Sequence, residues 1–196
     1  MILTVALLAA AGCGLIPRSH HHRVGAALVA VATPAATPIP LPPGATPLPP
    51  PPQNRKFVNA ASRILAYERK LGSLARQYGN SDEARNLGAV METEMALAEE
   101  RLKALAITKE QKIDAGGGWG HGGLEQLSSL KGGDFDLRFY EELKSSSPEG
   151  YGVFDRAFRD VTDADLKEFA KNWYPVLRNY PREAVKLEAQ LKKKRR

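Results

Sequence analysis

From Phe57 to Tyr78 the sequence reads FVNAASRILAYERKLGSLARQY, and Phe57, Ala61, Ile64, Glu68, Leu71, Ala75 and Tyr78 recur at intervals of four and three. That period lays all of them along one face of a helix, so the segment is an amphipathic rod that needs other rods to cover it. Six of the seven positions suit a buried seam, and the seventh is Glu68. A carboxylate in such a place must be paired, hydrogen-bonded or neutralised by a proton.

Gly79-Asn80 stops this helix and Ser81 can cap the next, with Asp82 and Glu83 in the first turn where the helix dipole favours anions. So short a join makes the two helices antiparallel neighbours. The second rod presents Leu87, Met91, Glu94, Ala98, Leu102 and Leu105, again with one carboxylate in the seam. Glu68 lies twelve residues before Asn80 and Glu94 fourteen after it, which puts both at about the same height in the hairpin. Two readings follow: a carboxylate cage for a metal ion inside a bundle, or two surface pairs on slightly rotated rods. In the second, Glu68 leans to Arg63 or Arg69 and Glu94 to Arg101.

Thr108 to Gly123 is a long connection with a glycine-rich core around Trp119 and His121. No strand precedes it and no Lys-Ser or Lys-Thr closes it, so it is a flexible crossover and not a phosphate loop. Leu124 to Leu130 makes a short helix. Phe135 to Lys144 reads as a third rod that breaks at Ser145 to Gly150 and restarts, with Ser147 as cap and Pro148 in the first turn. Thr162 then caps a fourth rod with the seam Leu166, Phe169, Trp173, Leu177, Tyr180, Ala184, Leu187 and Leu191, kinked near Pro175 and Pro181. The fold class is therefore all-α, an antiparallel four-helix bundle over residues 54–191 with a long glycine-rich crossover.

Ahead of the bundle the composition changes. Ten of the fourteen prolines lie between Pro34 and Pro52, so residues 33–53 form a disordered Pro-rich linker that favours polyproline II. Residues 1–32 form a leader. Met1 to Ile16 is apolar without interruption, too short to span a bilayer comfortably and close in length to the apolar part of a signal peptide. Ala10-Ala11-Gly12-Cys13 resembles a lipobox, which makes Cys13 a candidate lipidation site and membrane tether. A second unit follows: the basic cluster around His20, His21 and His22, the apolar run Val24 to Val29, and the small-x-small pattern Ala30-Val31-Ala32, which favours a cut after Ala32 instead. Either way the expected address is export, to the periplasm or a membrane-anchored place in the bacterial envelope. Cys13 is the sole cysteine, so no disulfide forms within the chain.

The net charge of +6 does not indicate a nucleic-acid partner, because its excess sits in the tail. Without Lys192 to Arg196 the bundle carries 21 basic against 22 acidic side chains, whereas a phosphate-binding face needs a basic stripe on the folded surface. Residues 192–196 read as a solvated helix end whose cations suit the C-terminal dipole.

Phe57, Ala60-Ala61, Glu68, Leu71-Gly72 and Ala75, then Leu87-Gly88, Met91 and Glu94, then Leu102 and Leu105-Ala106 resemble the first hairpin of the bacterial domain-of-unknown-function family 4142, often labelled predicted outer membrane protein. Phe135-Asp136, Phe154, Leu166, Phe169-Ala170, Pro175 and Leu177 resemble its second. The resemblance implies an exported, ferritin-like four-helix bundle whose relatives carry one Glu on the first helix and a His on each of the other three. This chain keeps Glu68 and is a degenerate member, with Met95, Ser147 and Tyr180 where the relatives have histidine. The metal-site candidates that remain are Glu68, Glu94 and Tyr180. The leading expectation is a non-catalytic envelope protein with no cofactor and no defined small-molecule substrate; the alternative is a metal-binding ferritin-like oxidase or metal store using the core carboxylates.

Overall fold

The computed structural model describes residues 49–114, 119 and 122–194. The leader 1–32 with Cys13, residues 33–48 of the Pro-rich segment, His121 and the end of the basic tail lie outside the described residues. Five helices follow one another: α1 Pro52–Tyr78, α2 Asp82–Thr108, α3 Gly123–Ser129, α4 Gly132–Asp160 and α5 Ala164–Lys194. No strand occurs among the described residues, and no helix there is long and apolar enough to cross a membrane.

The helix α1 starts at Pro52, taking in the last two residues of the expected linker, because proline at a first helical position gives up only an N–H that has no intrahelical acceptor. Its turn into α2 is as the sequence implies. Ser81 Oγ accepts the Ala84 N–H at 3.2 Å, and the two helices run back to back. Gly72 and Gly88 make that contact intimate: a side chain at Gly88 would sit 2.5 Å from Arg76 N and 2.6 Å from the Gly72 carbonyl. This backbone approach turns the buried seam of α2 away from the expected one. Gly88, Met95 and Ala106 are buried, while Leu87, Glu94 and Leu105 are half-buried at its edge.

Contacts at the helix ends fix the remaining directions. Asn54, at the start of α1, accepts the Thr162 N–H at 2.9 Å just beyond α4, so α1 and α4 are antiparallel. Lys109 at the end of α2 pairs with Asp163 at 3.0 Å and with Asp165 at 2.5 Å, and Lys194 at the end of α5 pairs with Glu83 at 2.9 Å, so α2 and α5 are antiparallel too. The chain must therefore travel the length of the bundle between Lys109 and Gly132. That is the physical reason for a long connection here, on which Trp119 packs against the core and α3 lies against α1 and α4.

Two details of the second hairpin differ from expectation. Thr162 is not the cap of α5. Asp163 is, accepting the Asp165 and Leu166 N–H groups at 3.0 Å each, because Thr162 spends its own N–H and hydroxyl on Asn54. Nor does α4 break at Ser145 to Gly150: it runs unbroken with Pro148 inside it. An internal proline costs about 3 kcal/mol. Here the helix is held on both sides of it by the burial of Leu143, Ser147, Gly150 and Phe154. Pro175 and Pro181 likewise lie inside an unbroken α5.

Aromatic side chains close the core at both ends. Phe57, Phe154 and Phe169 meet at centroid distances of 5.6 to 6.4 Å at one end, and at the other Phe135 stacks on Phe139, with Tyr140 tilted against Phe139. Between these plugs, at mid-height, lies Glu68.

Candidate functional site

Glu68 is fully buried, so the surface-pair reading fails; Arg69 turns outward to Glu99 at 3.0 Å. Ser147 on α4 donates its hydroxyl proton to Glu68 Oε1 at 3.0 Å, while Glu68 Oε2 has no hydrogen-bond partner among the described residues. Burial pushes the Glu68 carboxyl up to about 7; the Ser147 bond opposes this and the nearby Glu142 charge adds to it. Near neutrality the group is thus poised between acid and carboxylate.

Tyr180 on α5 donates to Glu94 Oε2 on α2 at 2.8 Å. Glu94 sits at the half-buried edge of the seam, held by the phenol and not by Arg101. Burial first, and then the charge and hydrogen bond of Glu94 and the charge of Glu68, raise the Tyr180 phenol well above its ordinary range. The three sequence candidates therefore share one region, with Tyr180 facing both carboxylates. Met95 and Ser147 are also buried, so all three positions that the family resemblance pairs with histidine point inward.

A second polar group was not legible in the seams. Tyr67, the neighbour of Glu68 along α1, donates to Glu142 Oε1 on α4, and Arg138 donates to Glu142 Oε2 at 3.2 Å. The Glu142 carboxylate lies directly against the Gly123 backbone, in space that any side chain at 123 would occupy. Burial and Glu142 both push the Tyr67 phenol up, with Glu68 adding to the effect. The sequence signal missed is positional: Tyr67 and Glu142 flank the buried seams by one residue or one turn, where long side chains reach across to a neighbouring helix. Asp136 was missed in the same way. Fully buried, it accepts the Asn80 and Ser81 N–H groups at 2.8 and 2.9 Å and so clamps the α1–α2 turn to α4.

The pattern of the family described as Domain of unknown function (DUF4142) matches residues 39–187. The chain belongs to the DUF4142 family. Its fold is also that of a solved structure, a DUF305 fragment from Deinococcus radiodurans, with a TM-score of 0.66 at 12% identity over 73% of this chain and 99% of that one. None of the curated proteins is significantly similar to it. The DUF4142 resemblance implies a metal held by carboxylate and imidazole, and the donors present here do not fit that role. Glu68 has the Ser147 hydroxyl as its partner, Glu94 is held by a Tyr180 phenol whose proton is held more tightly than usual, and Glu142 is held by Tyr67 and Arg138. Among the described residues no three His, Cys, Asp or Glu side chains are grouped so as to hold an ion. Transition ions in bundle cores require imidazole or additional carboxylate ligands with oriented outer partners.

Proposed function

We propose that this DUF4142 chain is an exported envelope protein whose helical bundle acts by contact and performs no catalysis. In this reading the Pro-rich segment holds the bundle away from its point of attachment, with Cys13 as lipid anchor or a cut after Ala32 as the route to a soluble form. The observation that supports it best is the pairing of Glu68 with Ser147 and of Glu94 with Tyr180, in which hydroxyl groups from the protein itself each answer one oxygen of the two seam carboxylates. The leader supports the address. Metal analysis of full-length protein purified from the envelope fraction and dialysed tests the reading, which expects less than about a tenth of an equivalent of iron, manganese or zinc. Stoichiometric retained metal that Glu68→Ala abolishes overturns it. The mass of the mature N-terminal peptide tests the address, because acylated Cys13 and a start at Thr33 differ unmistakably.

One observation favours the alternative, a metal-dependent oxidase or store: Glu68 Oε2 is buried and without a partner. That reading predicts a stable fold in Glu68→Ala with lost metal. The proposed one predicts a variant of equal or higher stability in metal-free buffer, since a frustrated carboxyl has been removed.

A further inference from the structure

The outward face of α2 carries apolar side chains that the packing of its own bundle does not use. Val90, Leu97 and Ile107 are 50%, 38% and 68% exposed. Together with Thr93, Glu100 and Ala104 they recur at alternating steps of three and four, the spacing of a helix-pairing seam. At roughly 100° per residue this line points directly away from the core line through Gly88, Met91, Met95, Ala98 and Leu102. The helix therefore has two opposed seams, and the bundle covers one of them.

We propose that the outer seam of α2 packs antiparallel against the same seam of a second copy of this chain. With the two-fold axis midway between Leu97 and Glu100, Val90 meets Ile107 of the second copy, Thr93 meets its Ala104, and Leu97 lies under the aliphatic stem of its Glu100. The small Thr93 and Ala104 layers let the helices approach closely.

Charge sets the partner and the direction. Glu100, Arg101 and Lys103 are exposed and make no ion pair with any described residue. On the flank that carries Lys103, Glu99 and Glu92 are already paired with Arg69 and Arg76 of α1, so Arg101 on the other flank is the cation left beside the Glu94 edge. In the antiparallel arrangement Glu94 and Glu100 both come beside Arg101 of the second copy, whereas a parallel pair would stack Glu100 on Glu100. Self-complementary charge of this kind fits a two-fold contact between identical chains.

Sedimentation equilibrium of the full-length protein over about 1 to 100 μM tests this. The expected result is a monomer–dimer equilibrium that Leu97→Lys weakens by at least about tenfold, with the circular dichroism unchanged because Leu97 lies outside the core. Glu100→Arg and Arg101→Glu should each weaken the dimer, and the double exchange should recover part of the loss, because it rebuilds the 100–101 pair while leaving Glu94 beside a carboxylate. A monomer throughout the range overturns the proposal, as does a dimer indifferent to Leu97→Lys. So does a monomer that sediments with phosphatidylglycerol vesicles in a Leu97-dependent way, which would assign the face to a membrane surface.

Discussion

Asp136→Ala is the most exposing single change for the way this bundle is tied together. The Asp136 side chain is fully buried and its two oxygens accept the N–H groups of Asn80 and Ser81, residues of the turn that joins α1 to α2. A hydrogen bond to a charged group contributes about 1.5–3 kcal/mol, so two of them set an upper figure of about 6 kcal/mol. Asn80 is exposed and Ser81 half-buried, so water replaces part of what is lost. The loss should therefore fall near the lower end, about 3 kcal/mol. For a domain of this size that lowers the melting temperature by roughly 6–12 °C and, at a slope of about 2 kcal/mol per molar urea, moves the midpoint down by about 1.5 M with the slope unchanged. Asp136→Asn keeps one acceptor but sets an amide N–H against a backbone N–H, and should fall between the two. An Asp136→Ala midpoint within about 0.3 M of the parent would refute the reasoning, because it would mean that the turn is held by its own capping and not by α4.

Two further outcomes follow from the same geometry. Gly88→Ala gains up to about 1 kcal/mol in helix propensity yet forces a methyl group to within 2.5 Å of Arg76 N; a net loss of about 1–3 kcal/mol in thermal unfolding is expected, and a gain would show that α1 and α2 part freely. The Glu68 carboxyl, raised from 4.5 to about 7 by burial, contributes stability that is fully present below pH 4.5 and is lost as pH rises through 7. By linkage that loss is about 3 kcal/mol. Glu68→Gln should flatten this part of the curve in urea titrations between pH 4.5 and 8, and an unchanged slope would show that another group sets it.

Much of the architecture was written in spacing. The seam of α1 from Phe57 to Ala75, though not Tyr78, which is exposed at the helix end, the Gly79 to Ser81 join, the short helix before α4 and the inward place of Tyr180 all follow from helical period and end chemistry, which act within a few residues. The expected break at Pro148 did not occur because the penalty of an internal proline is a local quantity, while the burial that holds α4 together on both sides of it comes from α1 and α5. The seam of α2 was misplaced by about one residue for a related reason: Gly88 looks like a weak point in a helix until Gly72 stands opposite it.

By itself the sequence determined that the chain makes amphipathic rods in antiparallel pairs, that a carboxylate lies in the seam of the first, and that imidazole is missing from the long helices. Only the packed bundle decided which group answers that carboxylate. Ser147 reaches Glu68 across 79 positions of chain, Tyr180 takes Glu94, and Tyr67 takes Glu142. Such partners are chosen by which helix stands next to which and by how closely the backbones approach, and periodicity along one rod carries no information about the rotation of its neighbours.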